Sequence, residues 1–151
     1  MKTLKFSEFY KNQYKDVGYE LYFVKDSKGQ ALYIGISNGS IWNRWFGTGI
    51  SHISTDFKGK LHGASHIGQI IVGNLPYSWD WTIELWTKID CVKNLAIENI
   101  AIKINRITIK DLEVKMIRKF NPLYNVLHGE GYHEDPSDRK RLDDEYKKIF
   151  G

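Results

Sequence analysis

The sequence predicts a mixed α/β (α+β) domain: a small three-stranded, mainly antiparallel sheet flanked by helices. Three stretches carry that expectation. Residues 19–25 and 31–36 are rich in tyrosine, phenylalanine, valine, leucine and isoleucine, and Asp26, Ser27, Lys28 and Gly29 stand between them. Such side chains suit a pleated, half-buried surface, and the polar cluster is turn chemistry, so the pair reads as a hairpin. Residues 79–86, Trp-Asp-Trp-Thr-Ile-Glu-Leu-Trp, alternate apolar and polar positions, the period of a strand with one wet face. From Thr108 a helical run carries Leu112, Val114, Met116, Ile117 and Phe120. Thr108 and Asp111 have capping-box spacing, and Pro122 lies past the end.

Taken in order, residues 7–15 are expected as a first helix with Ser7 at its N-cap. The hairpin follows, and Gly35 closes its second strand where another backbone or a phosphate can approach. Ser40 and Gly47 bracket a short helix that turns Ile41 and Trp45 inward. Residues 48–63, rich in glycine, serine, histidine and lysine, read as an irregular loop. Residues 64–72 read as a helix stopped by Gly73 and Pro76. Residues 93–106 fit a helix through Leu95, Ile97, Ile100 and Ile104, or a strand through Ile100, Ile102 and Ile104; helix is favoured. Residues 128–151 are expected to form a tail with a last, mixed-charge surface helix from about 135 to 149.

At 151 residues, with 42% hydrophobic and 14% aromatic side chains, one domain over residues 1–151 with a real core is expected. There is no run of apolar residues long enough to span a membrane. Met1-Lys-Thr-Leu-Lys turns charged too early for a secretory leader. The single cysteine, Cys91, excludes an internal disulfide or a cysteine zinc cluster, and a cytoplasmic setting is expected. A net charge of +4 permits a polyanionic partner without demanding one. No Walker loop, GxGxxG, Cys-x-x-Cys or His-Glu-x-x-His pattern occurs.

Tyr22, then Tyr33-Ile34-Gly35, then Arg44, then Glu113 followed by Asn121-Pro-Leu-Tyr-Asn125 stand in an order and spacing that resemble the GIY-YIG nuclease family. The resemblance covers about residues 18–127. The first motif departs from the pattern, because Glu20-Leu21 precede Tyr22 where Gly-Ile is usual. The resemblance implies a GIY-YIG-like fold and a metal-dependent DNA endonuclease, with Tyr22, Tyr33, Arg44, Glu113 and Asn125 at the site and Glu113 as metal ligand. It also implies a histidine about one turn after the arginine. Position 48 is Thr48, so His52, eight positions after Arg44, is the nearest candidate, with His62 and His66 as alternatives.

The residue types suit the chemistry. One carboxylate such as Glu113 can hold Mg²⁺, with Mn²⁺ as a substitute, because magnesium keeps several waters and takes its remaining ligands from substrate oxygens. Arg44 can stabilise a transferring phosphoryl group. A tyrosine becomes a useful base only where positive charge lowers its pKa, which Arg44 and a metal are expected to do for Tyr22 or Tyr33. Asn125 is expected to brace the site. Gly35, Lys58 and Lys60 are expected at the substrate, with Lys93, Lys103 and Arg106 as further phosphate contacts. Arg139, Lys140 and Arg141 add a patch that Asp138, Asp143, Asp144 and Glu145 blunt. The tryptophans are expected in the core, with Trp42 or Trp45 stacking on an unpaired base as a minority use.

The chain has little room for a separate DNA reader, so a compact restriction-type or phage-type nuclease is expected, as a dimer or larger assembly on DNA. The alternative is an inactive nucleic-acid-binding module on the same fold. A purely structural domain would lack salt-sensitive DNA affinity.

Overall fold

A computed structural model describes residues 1–97 and 107–125 of the chain. The central hairpin forms as its sequence requires. Strands β2 (Leu21–Lys25) and β3 (Ala31–Ile36) pair antiparallel, with Tyr22 opposite Gly35 and Val24 opposite Tyr33. Asp26 Oδ1 accepts the amides of Lys28 and Gln30, each at 2.9 Å, and Gly29 takes a φ of +81°. That left-handed backbone costs glycine little because it has no Cβ.

The sheet has four strands rather than the expected three. Strand β6 (Thr82–Trp86) lies against β2, and β1 (Lys2–Lys5) pairs with the far side of β6, giving the order β1-β6-β2-β3, antiparallel throughout. Strand β1 escapes a pattern search because only Leu4 of its four residues is buried. With a neighbour on each side, β6 is a central strand buried from Ile83 to Trp86, not a half-wet edge. Its one buried carboxylate, Glu84, is paired with Lys25 Nζ at 2.9 Å and accepts from Trp86 Nε1 at 3.1 Å, as burial of a charge requires.

The pleat sends alternate side chains into two cores. On one face Tyr22, Val24, Ile83 and Leu85 meet Phe6 and Phe9 of α1 (Phe6–Lys11), Trp45 of α2 (Ile41–Phe46) and Ile67 and Ile71 of α3 (His66–Gly73). On the other, Leu21, Phe23, Ile34 and Trp86 meet Val92 of α4 (Lys88–Asn94) and Leu112, Met116 and Ile117 of α5 (Ile109–Phe120).

Helix α1 starts one residue before Ser7 and stops at Lys11, because the Lys5 amide donates to Glu8 Oε1 and Asn12 leaves helical geometry; a 3-10 turn over Gln13–Asp16 replaces its expected last turn. That turn delivers Asp16, which is buried. Its Oδ2 accepts from Ser40 Oγ at 2.7 Å and from the Trp42 amide at 3.0 Å, which ties down the start of α2. Ser40 and Gly47 cap α2 at its two ends, and Thr108 with Asp111 form the capping box of α5, as expected.

Residues 48–63 are not an irregular loop. Strands β4 (Ile53–Thr55) and β5 (Leu61–Gly63) form a second hairpin with Ile53 opposite Gly63. They are short, and β4 buries only Ile53, so period gives no signal. The expected helix over residues 93–106 reduces, among the described residues, to the end of α4; its remainder and the tail helix lie outside them. No helix among the described residues is long and apolar enough to cross a membrane.

Candidate active site

Tyr22 and Tyr33 stand on neighbouring strands and face the same core, with their rings stacked at 6.2 Å and 23°. Tyr22 lies across the backbone of Gly35, its strand partner. A Cβ on Gly35 would overlap the Tyr22 hydroxyl. The space that glycine opens is therefore filled by a phenol, not left for a phosphate. Glu20 is exposed and Leu21 is buried in the opposite core, so the Leu21 half of the departure from Gly-Ile-Tyr does not reach this face.

The histidine arrives by a detour. In a continuing helix the Arg44 carbonyl would accept the amide of Thr48. The chain instead leaves α2 at Gly47, and the amide of His52 takes that acceptor at 2.9 Å. His52 thus makes the bond that a residue one turn after Arg44 would make, with the intervening residues looped out. Its ring is held at both ends: Nε2 is 2.7 Å from Tyr22 Oη and Nδ1 is 2.6 Å from Ser65 Oγ. Trp45 packs on it at 4.4 Å, and Tyr33 meets it edge-on at 5.7 Å.

The other two candidate histidines are elsewhere. His62 pairs with Asp56 at 2.8 Å, and the His66 ring packs edge-on against Tyr124. Ser65 is a site residue that sequence reasoning missed. It caps α3 by accepting the Gly68 amide at 3.1 Å, and a serine before a helical run was the available signal.

Glu113 comes from the first turns of α5, on the opposite layer, yet its charge acts on both phenols. It is buried, and Lys110 Nζ, itself exposed, sits 2.7 Å from its Oε1. Arg44 is half-buried, and its Nη1 donates to the Ile50 carbonyl at 3.4 Å. These charges compete with burial. Burial lifts Tyr22 well above the ordinary phenol value, the neighbouring Tyr33 and Glu113 lift it further, and Arg44 pulls it part of the way back. Tyr33 is raised by burial and Glu113 against the same pull. Arg44 lowers both phenols as expected, but within the protein's own charges desolvation wins, and both keep their protons at neutral pH. Burial, with Arg44 adding to it, takes His52 down to about 3, so its ring is neutral.

Asn125 braces the site. Its Oδ1 accepts the Ile34 amide at 2.8 Å and its Nδ2 donates to the Ile34 carbonyl at 2.9 Å. Leu123 and Tyr124 donate their amides to Ala31 and Leu32. The segment after α5 therefore seals the outer edge of β3 and holds Tyr33 and Gly35 in place. Lys58 and Lys60 are exposed on the β4–β5 turn, and Lys93 lies on α4 behind the sheet. Lys103, Arg106, Arg139, Lys140 and Arg141 lie outside the described residues. Trp45 is fully buried and cannot stack on a base; Trp42 is half-buried and donates Nε1 to the Tyr10 carbonyl at 3.1 Å.

Among the described residues no three His, Cys, Asp or Glu side chains group around a metal position. A single carboxylate whose present cation is an exposed, displaceable lysine still fits magnesium, which takes few protein ligands. No protein-family model, curated protein or solved structure matches the chain.

Proposed function

We propose that this chain is a Mg²⁺-dependent DNA endonuclease of the GIY-YIG type, a compact restriction-type or phage-type enzyme that hydrolyses phosphodiesters by direct attack of water. The observation that carries this is the 2.7 Å hydrogen bond between Tyr22 Oη and His52 Nε2, set among Tyr33, Arg44 and Glu113. A tyrosine that keeps its proton is no base alone. It becomes one when its own proton has somewhere to go as it accepts another.

The relay uses the His52 tautomer in which Nδ1–H donates to Ser65 Oγ, leaving Nε2 to accept from the Tyr22 hydroxyl. As water attacks phosphorus, its proton passes to the Tyr22 oxygen and the phenolic proton passes to Nε2. The bond from phosphorus to the 3′-oxygen breaks, and that oxygen takes a proton from solvent. Arg44 meets the non-bridging oxygens, where negative charge grows. The phosphate it binds offsets the Arg44 charge, the smaller of the two effects that depress His52, and so makes the imidazole more basic when it is needed. Tyr33, the more exposed phenol, orients the same phosphate. Glu113 would hold the magnesium ion, which when bound supplies charge compensation at the phosphate and the leaving oxygen.

The two grounds for an inactive module, Glu20-Leu21 and the missing histidine at position 48, lose force. Leu21 faces the opposite core, and His52 takes the backbone bond of position 48. Plasmid nicking with and without Mg²⁺ tests the assignment. Wild type is expected to nick only with the ion, and Glu113→Ala to lose about a hundredfold or more. Equal nicking by both proteins contradicts the metal ligand. Absence of nicking together with absence of salt-dependent DNA affinity contradicts the nuclease.

A further inference from the structure

Two turns of this chain are built alike and differ where it matters. They are Asp26-Ser27-Lys28-Gly29-Gln30 and Asp56-Phe57-Lys58-Gly59-Lys60. In each, the aspartate Oδ1 accepts the amides two and four positions on at 2.9 Å. In each, the glycine amide bonds back to the aspartate carbonyl, and the glycine φ is +81°. The second position is Ser27 in one and Phe57 in the other. The turn therefore has no need of an aromatic ring. Phe57 nonetheless stands 96% exposed between Asp56 and Lys58. Leaving a phenylalanine in water forgoes about 2 kcal/mol of burial.

The roots of this hairpin are site residues. Ile53, at the base of β4, follows His52, and Gly63, its partner on β5, lies two positions before Ser65. At most about 17 Å of extended chain joins the Cα atoms of His52 and Phe57. That is about five base-pair steps at 3.4 Å each. At the tip, Asp56 also pairs with His62 through its second oxygen at 2.8 Å, which stiffens the turn.

We propose, building on the nuclease assignment, that β4–β5 is a DNA-engaging arm whose Phe57 wedges between stacked base pairs near the scissile phosphate. Lys58 and Lys60 contact the phosphates on either side. Apolar side chains inserted from a groove unstack a base step and kink the duplex. An exposed phenylalanine beside two lysines also suits an anionic membrane. The origin of the arm on His52 and Ser65 favours DNA, because it presents the tip to whatever polymer lies in the site.

The test places 2-aminopurine at successive steps within about five base pairs of the mapped cut. Binding is measured without divalent metal, so the duplex stays intact. Phe57→Ser copies Ser27 of the other turn and is expected to fold; Phe57→Leu keeps an apolar wedge. Wild type and Phe57→Leu are expected to raise the fluorescence at one step. Phe57→Ser is expected to lose that rise and about tenfold in affinity, as for one lost base contact, with the salt slope unchanged. Identical fluorescence and affinity in Phe57→Ser, with wild type still binding and cutting, overturns the arm alone. A wild type that neither binds in a salt-dependent way nor cuts removes the nuclease assignment, and the arm with it. Phe57-dependent binding to phosphatidylserine vesicles, with no Phe57 effect on DNA, also overturns the arm.

Discussion

His52 holds a neutral imidazole between two hydroxyls because burial and the Arg44 charge both oppose its protonation. This has a measurable cost in acid. The unfolded histidine takes a proton near its ordinary value of 6.5, whereas the folded one refuses it until about 3. Between those values the unfolded state binds the extra proton, so stability is fully present above the upper value and falls as pH drops through the window. The slope is at most about 1.4 kcal/mol per pH unit. His52→Gln removes that contribution, so the urea midpoints of wild type and variant are expected to converge as pH falls from 7 to 4.5. A constant gap would contradict a buried, neutral ring. Gly35→Ala puts a Cβ into the Tyr22 hydroxyl and is expected to cost about 1–3 kcal/mol in thermal unfolding, with loss of cleavage as Tyr22 is displaced. Tyr33, Arg44 and Glu113 could be singled out because their order and spacing resemble a known motif. Ser65 was not, because its role depends on a contact across thirteen positions.

At the scale of elements, what could be read was what local chemistry decides. The β2–β3 turn, the caps of α2 and the capping box of α5 are each written within a few residues. The strands β1, β4 and β5 are short and polar. They form because β6 and each other offer free edges, which no local pattern records. Helix α5 does more than cover a core: it carries Glu113, whose charge acts on both phenols, and the chain leaving it lays Asn125 along the edge of β3. Asn125→Ala leaves the amide and carbonyl of Ile34 without the partners they now have. It is expected to lower stability in urea by about 2–3 kcal/mol and to slow cleavage while leaving DNA affinity near wild type. A variant as stable as wild type would show that the edge of β3 does not depend on this brace.

For the whole molecule, the candidate site draws on both layers. Tyrosines come from the sheet, Arg44 and His52 from the layer on one face, and the charge of Glu113 on the other layer acts on both phenols, although the sequence separates the first from the last by some ninety positions. The fold makes Tyr22 and His52 one unit joined by a short hydrogen bond, so their losses should not add. Single-turnover cleavage by Tyr22→Phe, His52→Gln and the double variant measures this directly. Each single change is expected to slow cleavage by about 10²–10³-fold, and the double to be no slower than the slower single. Losses that multiply, or wild-type rates in Tyr22→Phe, would contradict a shared proton path between the two side chains.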